Sequence, residues 1–195
     1  MKFRITLLFA LLIGSILPVN AQSEENRFKN GLYISFEDLV GDRVLTSLPY
    51  RQDLLSSKDG VSRYTIHYEG KYKKVKRIYC FVNADHIYLN SKKYGRKGYF
   101  VRSHFTGRYT YFEDRLGNDK FSYSRGAPSS NGPAVESKIW GILLDMKTGK
   151  VLRTSRRNMK KLLMDYPELW QQYLDGDKTT DEVKEIIVWL NKEFE

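Results

Sequence analysis

The chain has 195 residues, with 33 Lys and Arg against 23 Asp and Glu, a formal net charge of +10. Its 41% hydrophobic content supports a folded core and excludes a wholly disordered polyelectrolyte. The single cysteine, Cys80, excludes an intramolecular disulfide framework.

The first 21 residues are expected to be a cleavable signal peptide. Lys2 and Arg4 give a positive start, and residues 5–17 are apolar except for Thr6, Gly14 and Ser15. Pro18 then breaks the run, and Ala21 supplies the small residue that signal peptidase needs. The run is too short to span a hydrocarbon core, which needs roughly 20 residues. No cysteine follows it to accept a lipid, and no later segment reads as a transmembrane helix. The expected mature chain is 22–195, a single β-rich domain with C-terminal helices over about 155–194. Its net charge is +8 once Lys2 and Arg4 are removed. Its expected location is periplasmic or secreted.

Residues 31–34 read as a short extended stretch, and Ser35 as the cap of a one-turn helix that Gly41 ends. From 64 to 151 the pattern becomes short alternating runs rich in Tyr, Phe, Val, Ile and Thr. Strands are predicted at 64–68, 75–82, 86–90, 99–105, 108–112, 120–124, 139–146 and 150–153. Asn83-Ala84-Asp85 and Gly117-Asn118-Asp119 suit left-handed or Asx turns. Lys147-Thr148-Gly149 places its Gly where a hairpin wants positive φ. Trp140, Ile142, Leu144 and Met146 fall on one face, expected to be core. Both faces of 78–82 are apolar, which predicts a covered strand. Residues 126–134 are rich in Gly, Ser and Pro and read as a loop.

After Ser155 the period becomes helical. Met159, Leu162, Leu163 and Tyr166 form one stripe, and Pro167 opens a second helix that Gly176 ends. Thr179-Thr180-Asp181-Glu182 resembles a capping box. The last helix would bury Val183, Ile186, Ile187, Leu190 and Phe194. The expected fold class is α+β: an antiparallel sheet, strongly curved or barrel-like, covered by C-terminal helices.

The order of these features resembles an uncharacterised family of exported proteins from Bacteroidota, known only as a domain of unknown function. The residues that carry the likeness are 31–38, 75–81, 86–90, 107–112, 144–151 and 165–169 with Tyr173-Leu174. Asn83-Ala84-Asp85 departs from the family's pattern, which has a Gly in that turn. The resemblance implies an envelope or secreted location and no activity, so it transfers no functional residue. It also agrees with Gln22 as the first mature residue.

No catalytic, cofactor or metal motif stands out. His67, His86 and His104 are not spaced as a local metal pair. No Gly-x-Ser-x-Gly elbow or phosphate-binding glycine loop is present. Glu37-Asp38 and Glu113-Asp114 are adjacent, and neighbours on a strand point to opposite faces, so neither makes a working carboxylate pair. Asp145 is expected to bond the turn amides before Gly149. Cys80, among apolar neighbours, is expected to be buried and inert.

The basic residues are the broad feature with functional reach. Lys71, Lys73, Lys74, Lys76 and Arg77 form one run, and Lys92, Lys93, Arg96 and Lys97 a second. Arg153, Arg156, Arg157, Lys160 and Lys161 form a third. Tyr72, Tyr79, Tyr94 and Tyr99 lie among the first two, which makes basic, aromatic hairpins the candidate contact surface. An exported protein rarely meets nucleic acid, so the candidate partners are an anionic glycan, lipopolysaccharide or an envelope protein. Three functional classes remain open. One is a non-catalytic binding protein, and another a hydrolase of an envelope polymer with residues drawn from distant strands. The third is a structural subunit of an envelope assembly.

Overall fold

The computed structural model describes residues 28–45, 50–58, 60–68, 78–96, 98–116 and 138–194. Gly31–Tyr33 form β1, and Phe36–Val40 form α1, whose Ser35 cap accepts from the Asp38 amide at 3.1 Å. Six strands follow, β2 (Tyr50–Lys58), β3 (Val61–Tyr68), β4 (Cys80–Asn83), β5 (His86–Asn90), β6 (Phe100–Phe105) and β7 (Tyr109–Leu116). The sheet ends with β8 (Lys138–Asp145) and β9 (Val151–Arg153). Helices α2 (Arg156–Leu162), α3 (Pro167–Asp175) and α4 (Thr180–Lys192) complete the chain.

The sheet is antiparallel throughout and runs β1-β4-β5-β6-β7-β8-β9, with the β2–β3 hairpin branching from β6. One edge of β6 pairs with β5. Its other edge is shared between β3, at Phe100 and Val101, and β7, at Ser103 and Phe105 on either side of a bulge. Tyr33 of β1, Cys80 of β4, Val101 of β6, Phe112 of β7 and Ile142 of β8 meet in one core cluster, with Val151 of β9 against it. A flat sheet with strands 4.8 Å apart would hold β1 and β9 about 29 Å from each other. The sheet is therefore strongly curved, and it stays open, ending at β1 and β9.

Both faces are covered. Helices α2, α3 and α4 bury Met159, Leu169, Tyr173 and Ile187 against Tyr111 and Leu143. The β2–β3 hairpin brings Tyr50, Tyr64 and Ile66 onto Phe81, Tyr88 and Phe100. Strand β8 thus has two core faces: Ile142 and Leu144 line the inner core, and Leu143 packs under the helices. On the face of 139–146 expected to be core, Ile142 and Leu144 are buried and Met146 packs against their cluster, while Trp140 is only half-buried. Residues 78–82 are covered on both faces, as expected.

The local signals place most elements. Thr179 and Glu182 form the reciprocal capping box of α4, each bond 3.2 Å. Pro167 opens α3. Ala84 and Asp85, both at positive φ (45° and 65°), turn β4 into β5 in the left-handed geometry expected without a Gly. Phe194 is corrected: it lies past the end of α4, half exposed, and stands edge-on to Tyr109. Strand β2 was not predicted. Strand β4 begins at Cys80, two residues after the described part of the 75–82 reading opens at Ile78, and 75–77 lie outside the described residues. The predicted strand at 120–124, the turn at 117–119 and the loop at 126–134 lie outside the described residues, as does the signal segment. Among the described residues no helix is long and apolar enough to cross a membrane.

Candidate functional site

Of the basic residues expected to make contact, Lys71, Lys73, Lys74, Lys76, Arg77 and Lys97 lie outside the described residues. Lys92 and Lys93 sit exposed on a 3₁₀ turn, Ser91–Tyr94, with Arg96 just beyond it. Asn90 fixes this turn at both ends of its side chain. Its Oδ1 accepts from the Lys92 amide (3.0 Å), and its Nδ2 donates to the Ile78 carbonyl (2.8 Å). Gly95, at φ 84°, closes the turn. Lys93 Nζ lies 4.5 Å from the Tyr79 ring centre.

The third basic run reaches the second. Arg153 Nη2 donates to the Tyr94 carbonyl at 2.9 Å. Two residues on, Ser155 caps α2, from which Arg156, Arg157, Lys160 and Lys161 project into solvent. One hydrogen bond therefore joins the 3₁₀ turn to the strand that launches the basic helix.

The aromatic part of the expected surface is corrected. Tyr79, Tyr94 and Tyr99 are buried rather than presented for stacking, and Tyr72 lies outside the described residues. Tyr79 Oη donates to the Gly149 carbonyl at 3.4 Å, and for Tyr94 and Tyr99 the reason lies in Asp114, whose side chain is fully buried. Arg63 Nε and Nη2 each donate to its Oδ1 at 3.0 Å. Its Oδ2 accepts from Tyr94 Oη at 3.0 Å and Tyr99 Oη at 2.6 Å. The Arg63 guanidinium also covers the Tyr99 ring at 4.4 Å and bonds the Arg115 carbonyl at 2.8 Å. Burial, reinforced by the Asp114 charge, pushes both phenols far above their ordinary range, so they stay donors. Sequence reasoning missed this cluster. Its members come from β3, the 3₁₀ turn, β7 and the residue before β6, and no local spacing links them.

Glu113 points to the opposite face, as its neighbour position on a strand requires. It meets His104 Nε2 at 3.3 Å and Lys184 Nζ at 3.1 Å, and Lys184 also pairs with Asp181 at 3.1 Å. Burial alone would raise the Glu113 carboxyl, but the bonds to His104 and Lys184 outweigh it and hold it below the usual range. This cluster ties β6 and β7 to α4. Asp145 takes the turn role expected of it, accepting from the Lys147 amide (2.9 Å) and the Thr148 hydroxyl (2.7 Å) while pairing with Arg108 (3.1 Å). Cys80 is fully buried and unpaired by disulfide, and burial pushes its thiol up. Among the described residues no three His, Cys, Asp or Glu side chains converge as a metal site.

These acids work as structural ties. The solvent-facing chemistry is the pairing of basic turn and basic helix. No curated protein and no solved structure matches the chain. A family model described as a family of unknown function (DUF6563) matches residues 64–194, which leaves β1, α1 and β2 before the matched region. The chain belongs to that family.

Proposed function

We propose that this member of a family of unknown function is an exported, non-catalytic protein that binds an anionic envelope ligand, a phosphorylated or carboxylated glycan of the lipopolysaccharide kind. The Arg153 bond to the Tyr94 carbonyl carries the reading, because it ties Lys92 and Lys93 to the start of α2 and its four exposed cations. Clustered cations raise the local concentration of an anionic ligand far more than scattered ones. The buried tyrosines change the contact from stacking to charge. The non-catalytic part is supported by Asp114, Glu113 and Asp145, whose oxygens already serve Arg63, two phenols, His104, Lys184 and a turn. Export rests on the signal-like pattern of residues 1–21.

The test uses chain 22–195 with purified lipopolysaccharide and a neutral glycan at low and high salt. Binding is expected for the anionic ligand alone, falling as salt rises. Lys92→Glu/Lys93→Glu and Arg156→Glu/Arg157→Glu should each weaken it on the order of ten-fold or more. Equal binding of the neutral glycan, or full affinity in both double variants, overturns the proposal.

A further inference from the structure

The strongest unassigned feature is a half-open groove of about 380 Å³ between the turn that precedes α3, α3 itself and α4. Asp165, Tyr166, Pro167, Glu168, Gln172 and Trp189 line it. Pro167 sets the first turn of α3 and so places Tyr166 and Glu168 on either side of itself. Trp189 stands outside the buried stripe of α4 and keeps 43% of its surface exposed. Tyr166 meets it nearly at right angles, ring centres 6.1 Å apart. A large aromatic side chain left in water beside a second ring does little for the core, which Val183, Ile186, Ile187 and Leu190 already fill.

The charge of the groove runs against that of the chain. Two carboxylates line it, and no Lys, Arg or His does, although the sequence carries +10. On the exposed side of α4, Glu185 lies one helical turn before Trp189 and Lys192 one turn after it, so the negative charge of the groove itself comes from Asp165 and Glu168. An anionic ligand would be repelled here. A neutral apolar one would cover the ring but desolvate the acids without compensation. A group that answers both is an organic ammonium, which is attracted by the ring face and by the carboxylates together, and indole is the best ring for it. The volume suits a small ligand or one side chain.

We propose that the Tyr166–Trp189 groove binds an ammonium group, either in a free amine or quaternary ammonium compound or on a Lys side chain of a peptide. The site is separate from the basic surface, so its failure leaves the anionic-ligand reading standing, and the reverse also holds.

The experiment titrates chain 22–195 by calorimetry with choline and with its neutral isostere 3,3-dimethylbutanol. A second pair is a Gly-Lys-Gly peptide and its Nε-acetylated form. At least one ammonium probe should bind on the order of ten-fold tighter than its neutral counterpart. Which pair shows the preference identifies the source of the ligand. Asp165→Asn and Glu168→Gln should each weaken binding about five-fold, the effect of one exposed charge about 4 Å away in water. Trp189→Ala should weaken it on the order of ten-fold and Trp189→Phe much less. All three positions are solvent-facing, and thermal melts confirm that the four variants fold. Binding of neither ammonium probe, equal binding of charged and neutral members of both pairs, or unchanged affinity in the two carboxylate variants overturns the proposal.

Discussion

Removing the Asp114 carboxylate should be among the costliest single changes in this protein that leave the backbone untouched. Asp114→Ala deletes an acceptor of four bonds, two from Arg63 and one each from Tyr94 and Tyr99. Counting each as a charge-assisted bond of about 1.5–3 kcal/mol gives more than a buried pair can lose, because the partners partly recover. Breaking a buried ion pair typically costs about 3–5 kcal/mol. Here the lower end applies. Arg63 keeps its bond to the Arg115 carbonyl and its place over Tyr99, and its side chain is 24% exposed, so water reaches the orphaned charge. The expected loss is about 3 kcal/mol, a large fraction of the roughly 5–15 kcal/mol that holds a domain together. Tyr94→Phe and Tyr99→Phe should cost about 1 kcal/mol each. Urea unfolding followed by circular dichroism measures all three, and a double-mutant cycle with Arg63→Met should give a coupling of about 2 kcal/mol. A loss under about 1 kcal/mol for Asp114→Ala, or plain additivity with Arg63→Met, refutes the account of Asp114 as the central tie.

Two further outcomes follow from local geometry. Ala84 adopts φ 45°, where Asn fits better, so Ala84→Asn should stabilise the chain by about 0.5–1 kcal/mol and raise Tm by about 2 °C in a thermal melt. No gain would mean that the left-handed turn is not strained. Glu113, held below its ordinary value of 4.5, contributes stability that is complete above that pH and is lost as pH falls through its lower folded value. Urea midpoints measured below pH 4.5 should therefore drop more steeply for the natural protein than for Glu113→Gln.

Where one side chain decides a local geometry, the sequence was easy to read. Ser35, Ser155, Thr179 with Glu182, and Pro167 each mark a helix start, because the cap and its amide lie within three residues. The 86–90 strand follows from an aromatic and aliphatic run between turn residues, and the stripe of α4 as far as Leu190 from its helical period. Strand β2 was hidden because it is mostly exposed, so Asp53, Ser56 and Ser57 break the alternation, and its pairing to β3 supplies what propensity does not. Leu143 on the second face of β8 shows the same limit. Its burial depends on helices that arrive later in the chain. The Asp114 cluster was illegible for a sharper reason. Arg63 and Asp114 are 51 positions apart, and Tyr94, which could equally have been a surface ring in a basic hairpin, turns inward because a buried carboxylate is there to receive it.

The two adjacent acids of β7 explain why both proposed binding surfaces lie at the margins of this sheet. A strand sends Asp114 inward and Glu113 outward. Each is covered, by the inner core on one side and by α4 on the other, so each must be matched on the spot with Arg63 and phenols or with His104 and Lys184. A sheet covered on both faces leaves its polar groups no freedom to meet a ligand. Among the described residues, the 3₁₀ turn, the outer side of α2 and the α3–α4 groove stay open, and the Arg153 bond to Tyr94 fixes the turn to the strand before α2. Stability and binding should then separate by residue. Asp114→Ala weakens the fold while folded molecules keep their affinity for either ligand, whereas Lys92→Glu/Lys93→Glu changes anion affinity with little effect on the urea midpoint. Loss of both properties together in the lysine variant would place that turn among the structural ties instead.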